Sequence, residues 1–382
     1  MSELKGYLVH NFMKEDFLSQ KLSERSALHA LRSLRRNGKL SDYYSNDYLG
    51  IVKHGLIEKH LRDHHHAHGS TGSRLLSGNY SMIEEAESEI AKFHEAPAAL
   101  IFNSGYDANF GLLACIGQRN DLILYDKLSH ASIRDGIRQS FANSSSFRHN
   151  DLSELEQKLQ NRSVDGAGNC FVITESVFSM NGDMAPLSDM ADLCERYGAN
   201  FMVDEAHATG FVGEHGEGSV QSLGLTDRCF ARIHTFGKAL GCHGAVILGS
   251  QTLRDYLINF CRPFIYSTAI PPASAAAIRA AYKIFPNMNQ ERAVLKNLIS
   301  LFDSPGFNKS DTPIQCFIVP GNEKVRQVAE QLVKYNLDAR PILYPTVPMG
   351  EERLRITLHS FNTLEESKLL IDVLAKLMAI EN

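Results

Sequence analysis

Short apolar runs separated by amphipathic stretches fill the middle of the chain. AALIF (98–102), LILY (122–125), FVITE (171–175), FMVD (201–204) and AVILG (245–249) are continuous rather than alternating, which predicts strands buried on both faces. Between two of them, Ser188 to Tyr197 has helical spacing and closes on Gly198, a strand–helix–strand unit. Repetition of that unit predicts a mostly parallel sheet clothed in helices, an α/β fold. Ser81-Met-Ile-Glu84 has the form of a capping box, with Ile83, Ala86, Ile90 and Phe93 following on one helical face.

The two ends read differently. Phe17, Leu18, Leu22, Leu28, Leu31 and Leu34 recur at roughly helical spacing until Asn37-Gly38 breaks the pattern. Past residue 285, QCFIV (315–319) and RLRITL (353–358) read as strands and 324–335 as a helix. A last helix opens on its own box, Thr363-Leu-Glu-Glu366. The expected organisation is an N-terminal helical segment (1–45) packing on a small α+β unit (286–382), with a large α/β unit (46–285) between them. Neither an internal repeat nor a low-complexity tract interrupts this order.

Composition narrows the function. The 382 residues carry a formal net charge of -5, which gives no general attraction to nucleic acid or an anionic membrane. The 7 cysteines are scattered without CxxC spacing, as suits reduced thiols rather than a disulfide framework. The charged start MSELKGYLVHNFMKEDF does not read as a secretory signal, and no stretch of about 18 uncharged apolar residues occurs. The expectation is a soluble, cytoplasmic enzyme.

Three motifs tempt and fail. Asp204-Glu-Ala-His207 spells a helicase-type DEAH box, but the phosphate loop it needs is missing: Ala239 follows Gly237-Lys238 where Ser or Thr belongs, and Arg232 replaces the first Gly. Gly216-Glu-Gly218 starts a dinucleotide fingerprint whose third Gly is Gln221. His60, His64, His65, His66 and His68 cluster without an HExxH pattern or a set of carboxylates, so exposed helix-end histidines are the expectation and no metal is assigned.

Four others share one chemistry. Asn103-Ser104-Gly105-Tyr106 turns from strand to helix, where free N–H groups suit a phosphate. Asp204 ends a strand at the carboxyl edge of the sheet, where an acid is commonly a cap but also keeps a heteroaromatic nitrogen protonated. Lys238 in HTFGKALG follows a β-like run; most lysines are solvated, yet one packed near other cations becomes a nucleophile for a carbonyl. Thr235 offers a hydroxyl three residues earlier, and His130, after another strand, is core, cap or a flat partner for an aromatic ring. A phosphate seat, an acid for a ring nitrogen and a carbonyl-binding lysine are what pyridoxal phosphate requires.

SNDYLG (45–50), GSTGSRLLSGN (69–79), NSGYDAN (103–109), LSHASIRDG (128–136), ESVFSMNGD (175–183), VDEAHATGFVGEHGEG (203–218) and HTFGKALG (234–241) together resemble the α-oxoamine synthases, fold-type I pyridoxal-phosphate transferases. IYSTAIPP (265–272) and PTVPMGEERLRITL (345–358) carry the resemblance into the C-terminal part. It implies that Lys238 holds the cofactor, Asp204 its ring nitrogen, and His130 its ring face, with Ser179 and His207 on the hydroxyl side. Gly105, Tyr106 and Thr235 would serve the phosphate, joined by Ser267 and Thr268 of a neighbouring subunit in a homodimer. Asn46 and Arg355 would receive an amino-acid carboxylate; Thr346 and Arg32 would meet the acyl substrate.

Within the family, GSTGSRLLSGN and PTVP resemble the 8-amino-7-oxononanoate synthases of biotin biosynthesis, which join L-alanine to a pimeloyl thioester. Glycine C-acetyltransferase, 5-aminolevulinate synthase and serine palmitoyltransferase are the alternatives. The resemblance leaves open whether coenzyme A or a carrier protein brings the acyl group. Two departures stand out: a short stretch between Arg32 and Asn46, and Cys242-His243 where smaller residues are common.

Overall fold

The computed structural model describes residues 15–379 except 35, 37, 163–167, 304 and 305. Its centre is a seven-stranded sheet of β1 (Ala98–Phe102), β2 (Leu122–Asp126), β3 (Asn143–Phe147), β4 (Cys170–Glu175), β5 (Asn200–Asp204), β6 (Ala231–Thr235) and β7 (Ala245–Gly249). The spatial order is β1-β7-β6-β5-β4-β2-β3. β2 to β6 pair in parallel with one another, whereas β7 runs antiparallel to both β1 and β6. β1, β4 and β6 are buried along their whole length, so helices cover both faces.

The helices that matter for the site are α1 (Asp16–Ala27), α2 (Ser81–Phe93), α3 (Gly105–Ile116), α4 (Ala131–Gln139), α5 (Leu187–Arg196), α6 (Pro272–Ile284), α7 (Asn322–Val333) and α8 (Leu364–Ala379). Gly198 ends α5 at φ +61, a conformation that costs a residue with a Cβ. Beyond α6, a four-stranded antiparallel sheet forms from β8 (Phe307–Asn308), β9 (Ile314–Ile318), β10 (Arg340–Ile342) and β11 (Arg353–Thr357), in the order β10-β11-β9-β8. α7 and α8 pack on it through Val325, Leu332, Leu370 and Leu374, within a core shared with α2 and α6.

Of the two expected helical boxes, one forms and one does not. At α8 the box is made: Thr363 Oγ1 accepts from Glu366 N–H at 3.1 Å, and Glu366 Oε2 accepts from Thr363 N–H at 3.0 Å. At α2 it is not, because Ser81 is already inside the helix and Tyr80 occupies the cap position without a side-chain bond. Glu84 instead accepts from Asn79 Nδ2 at 2.7 Å. The expected N-terminal helix is also shorter than its pattern: α1 stops at Ala27, and His29 adopts a left-handed φ of +51. Nothing in α1 is buried, so Leu31 and Leu34 lack the apolar partner that would prolong it. Asn322 and Arg326 of α7 hold the carbonyls of Leu28, His29 and Leu31 instead. The part of that segment before residue 15 lies outside the described residues.

Candidate active site

Six strands, β1 to β6, run the same way and end at one edge of the large sheet, and the loops after five of them deliver the candidate residues there. β1 leads into Ser104, which caps α3 by accepting from Asp107 N–H at 3.0 Å. The first-turn N–H groups of Gly105 and Tyr106 thus have no intrahelical acceptor. A Cβ on Gly105 would stand 3.5 Å from Thr235 Oγ1, so the end of β6 meets this helix start. The Tyr106 side chain turns away, giving its hydroxyl to Asp135 and stacking on Phe110.

β5 and β6 bring the two central residues. Asp204 is 4% exposed and takes two hydrogen bonds from neutral donors, Asn109 Nδ2 at 2.7 Å and Ala206 N–H at 2.9 Å. Lys238 follows β6 in a loop closed by Gly241 N–H on the Lys238 carbonyl at 2.9 Å. Burial pushes its ammonium pKa down to about 8 and the nearby Arg355 charge adds to this, while Asp204 and Glu175 pull the other way. A neutral amine is therefore far more populated near neutral pH than in an ordinary lysine.

His130 caps α4, its Nδ1 accepting from Ser132 N–H at 3.2 Å. The ring keeps open surface toward the crevice, yet the protein around it displaces enough water to lower its pKa, and Lys238 adds to this against Asp204. His207 is buried beneath, with Nδ1 2.6 Å from the Tyr48 hydroxyl. Desolvation first, then the charges of Lys238 and Arg355, hold it neutral, well below its usual range.

From the small sheet, Arg355 on β11 reaches across. It donates Nε to the Ser179 carbonyl at 2.6 Å, Nη1 to Thr357 at 2.9 Å and Nη2 to Asn46 Oδ1 at 3.0 Å. His130, Ser179, Arg32 and Thr346 line one crevice of about 520 Å³, and Arg32 Nη2 donates to Thr346 Oγ1 at 3.0 Å. Larger cavities lie elsewhere, so chemistry rather than volume marks this one. Ser267 is not brought to it. Ser267 shares a separate cavity of about 750 Å³ with Tyr106, Phe141 and Tyr266, and exposed Thr268 gives its carbonyl to Asn103 Nδ2 at 2.9 Å.

Three residues to which the sequence reading gave no role stand among these. Glu175 ends β4 in register with Asp204 and accepts from His130 N–H at 2.6 Å. Asn109 orients Asp204, and Tyr48 orients His207. The one available signal was an acid closing a mostly apolar run, as Asp204 does.

A ligand suited to this set carries a protonated ring nitrogen for a buried carboxylate held only by neutral donors, and a carbonyl for Lys238. It also offers a flat face for His130 and an anion for the start of α3. Pyridoxal phosphate has all four, and the buried, unpartnered Oδ1 of Asn109 leaves a further polar contact open beside Asp204.

The aminotransferase class I and II family matches residues 42–374. The chain is 40% identical over 363 residues to the 8-amino-7-oxononanoate synthase of Emericella nidulans, covering 87% of this chain and 88% of that one. It is 36% identical over 367 residues to that of Methylobacillus flagellatus, covering 93% and 92%. Among solved structures, 8-amino-7-oxononanoate synthase from Francisella tularensis superposes with a TM-score of 0.75 at 29% identity, over 90% of this chain and 99% of that one. Serine palmitoyltransferase from Sphingomonas wittichii gives 0.85 at 25%, over 94% and 97%. The fold is that of the fold-type I pyridoxal-phosphate transferases. With a strand-edge acid, a low-pKa lysine and an anion seat assembled on it, the chain belongs to the aminotransferase class I and II family, and within it to the α-oxoamine synthases, pyridoxal-phosphate-dependent acyltransferases.

Proposed function

We propose that the protein joins L-alanine to a pimeloyl thioester with loss of CO2, giving 8-amino-7-oxononanoate. Relatives of that name, similar over most of the chain, support the substrate pair. The observation that carries the site assignment is that Asp204, at the end of a large-sheet strand, and Arg355, on the small sheet, both act on the charge of buried Lys238.

Pyridoxal phosphate, when bound, supplies a sink for the electrons left at the amino acid's Cα. The chain's own residues do the rest. Lys238 takes and returns the Cα proton; a placed general base is worth on the order of 10²–10⁴-fold. Asp204 holds a proton at the ring nitrogen by its negative charge, and His130 covers a ring face. Ser179 and His207 serve the ring hydroxyl, and Gly105, Tyr106 and Thr235 the phosphate. Arg355, steadied by Asn46, clamps the amino-acid carboxylate with a two-pronged bond that a lysine would not reproduce. Thr346 and Arg32, bonded to each other at the crevice rim, meet the acyl substrate.

The site is completed by a second copy of the chain, whose Ser267 and Thr268 join the phosphate seat. Exposed Tyr106, Phe141 and Tyr266 beside Ser267 support this, being apolar surface of the kind that subunit contacts cover. In this reading the unit 46–285 carries the cofactor and the unit 286–382 closes over it with Arg355 and Thr346.

The test is product analysis by mass spectrometry with L-alanine and pimeloyl-CoA or a pimeloyl carrier protein, glycine and acetyl-CoA, or L-serine and palmitoyl-CoA. Formation of 8-amino-7-oxononanoate from the first pair is expected. Turnover of only the glycine or serine pair overturns the substrate assignment and leaves the family reading standing.

A further inference from the structure

His149 lies just past β3, outside the crevice, with a carboxylate against each ring nitrogen. Its Nδ1 is 3.0 Å from Asp126 Oδ1, and its Nε2 meets Asp183 Oδ2. A neutral imidazole offers one donor and one acceptor, and its acceptor would face a carboxylate lone pair; only the imidazolium satisfies both. The flanking carboxylates have further tasks. Asp126 closes β2 and accepts from Leu128 N–H at 2.8 Å and Asn150 N–H at 2.9 Å. Asp183 takes Asn150 Nδ2 at 3.2 Å, and its own carbonyl accepts from Phe178 N–H at 2.9 Å. The Phe178 ring meets the His149 ring edge-on at 4.4 Å.

The two loops joined in this way both form walls of the crevice. One runs from Asp126 to His130; the other, from Phe178 to Asp183, carries Ser179, whose carbonyl holds Arg355 Nε. That second loop is seated on the small sheet, because a Cβ on Gly182 would come within 2.1 Å of the Ile314 carbonyl oxygen, and Ser310 and Thr312 both donate to the Gly182 carbonyl at 2.9 Å.

We propose that His149 is a positioning residue: as an imidazolium bridging Asp126 and Asp183, it locks the two walls together and thereby sets Arg355 for the amino-acid carboxylate. The inference rests on the reading of Arg355 given under Proposed function. Burial of the ring works against its charge, but hydrogen bonds and attraction from Asp126 and Asp183, the charged groups acting on it, outweigh this and raise its pKa to about 9. The clamp is thus closed throughout the neutral range and opens as pH rises through that value.

The experiment uses the holoenzyme and two variants, His149→Gln and Asp183→Asn. In protein labelled with [13C]histidine, the resonance lost in His149→Gln should titrate near pH 9 in the wild type and at clearly lower pH in Asp183→Asn. Spectral titration of the bound cofactor with L-alanine, glycine and L-serine should show amino-acid affinity falling about tenfold or more in His149→Gln, the size of one lost charge-assisted bond. Affinity in Asp183→Asn should fall away at lower pH than in the wild type, with kcat changed less than KM. A resonance titrating near 6.5, or variants that bind amino acid like the wild type across pH while losing kcat, overturn the inference. If His149→Gln does not fold, Asp183→Asn, which keeps a neutral partner in place, decides by the displaced pH dependence alone. Failure of the wild type to bind any of the three amino acids refutes the underlying reading of Arg355 and, with it, the positioning role.

Discussion

Replacing Glu175 by Gln should make the cofactor-free protein more stable at neutral pH. Glu175 is 3% exposed at the end of β4, directly across the ladder from Asp204. Burial first, then repulsion from Asp204, raise its carboxyl pKa from 4.5 to about 8, against the attraction of Lys238 and the His130 N–H bond. For an acid whose folded pKa is raised, the folded state binds more protons than the unfolded one between these two values. Its stability contribution is therefore intact below about 4.5 and declines as pH rises toward about 8. At pH 7 the gap from 4.5 spans some 2.5 pH units, or about 3 kcal/mol at 1.36 kcal/mol each, as a ceiling. Gln keeps an oxygen for the His130 N–H and has nothing to ionise. The variant should match the wild type near pH 4.5 and exceed it by up to about 3 kcal/mol at pH 7, roughly 4 °C in Tm for a chain of this size. Thermal unfolding of the apoprotein at pH 5, 6, 7 and 8 reads this out, with the cofactor removed so that its binding does not add to the difference. A Glu175→Gln protein no more stable than the wild type at pH 7, or a gap that does not widen with pH, refutes the reasoning.

Three more outcomes follow from the same charges. Asp204→Asn should retain the cofactor yet slow exchange of the amino acid's Cα proton with solvent by about 10²-fold or more, measured by NMR in deuterated buffer. Arg355→Lys should raise KM for the amino acid about ten- to a hundredfold and lower kcat far less, because Lys loses the two-pronged geometry. Since burial lowers the Lys238 pKa to about 8, capture of pyridoxal phosphate by the apoprotein should quicken with pH and level off above that value; stopped-flow absorbance gives the profile, and a plateau delayed to the pH of an ordinary lysine would contradict the assignment.

How far the sequence alone reached depended on where each residue's partners lay. β1, β2, β4, β5 and β7 were legible within a residue, because their apolar runs need no distant partner to explain them. β3 was not: NSSSF is a polar edge strand, and only its pairing with β2 makes it one. β6 showed only as a β-like run without bounds, since it buries Arg232 and His234, which look like surface residues until Arg232 is seen on the His94 carbonyl at 2.6 Å and His234 on Thr209 at 2.8 Å. The expected helix through Leu34 failed because an amphipathic pattern needs a surface to lie on. In the site, Asp204 and Lys238 were legible because each follows a strand and carries its chemistry itself. Glu175, His149 and Tyr48 act only through groups tens to more than a hundred residues away, a relation that local pattern does not carry.

Every role assigned to the site depends on Lys238 being the residue that carries the cofactor. Reduction of the purified holoprotein with borohydride, followed by proteolysis and mass spectrometry, tests this directly. The phosphopyridoxyl mass should be found on the peptide containing Lys238 and vanish in Lys238→Ala. The same mass on another lysine, or no adduct on a protein that turns over its substrates, would contradict it.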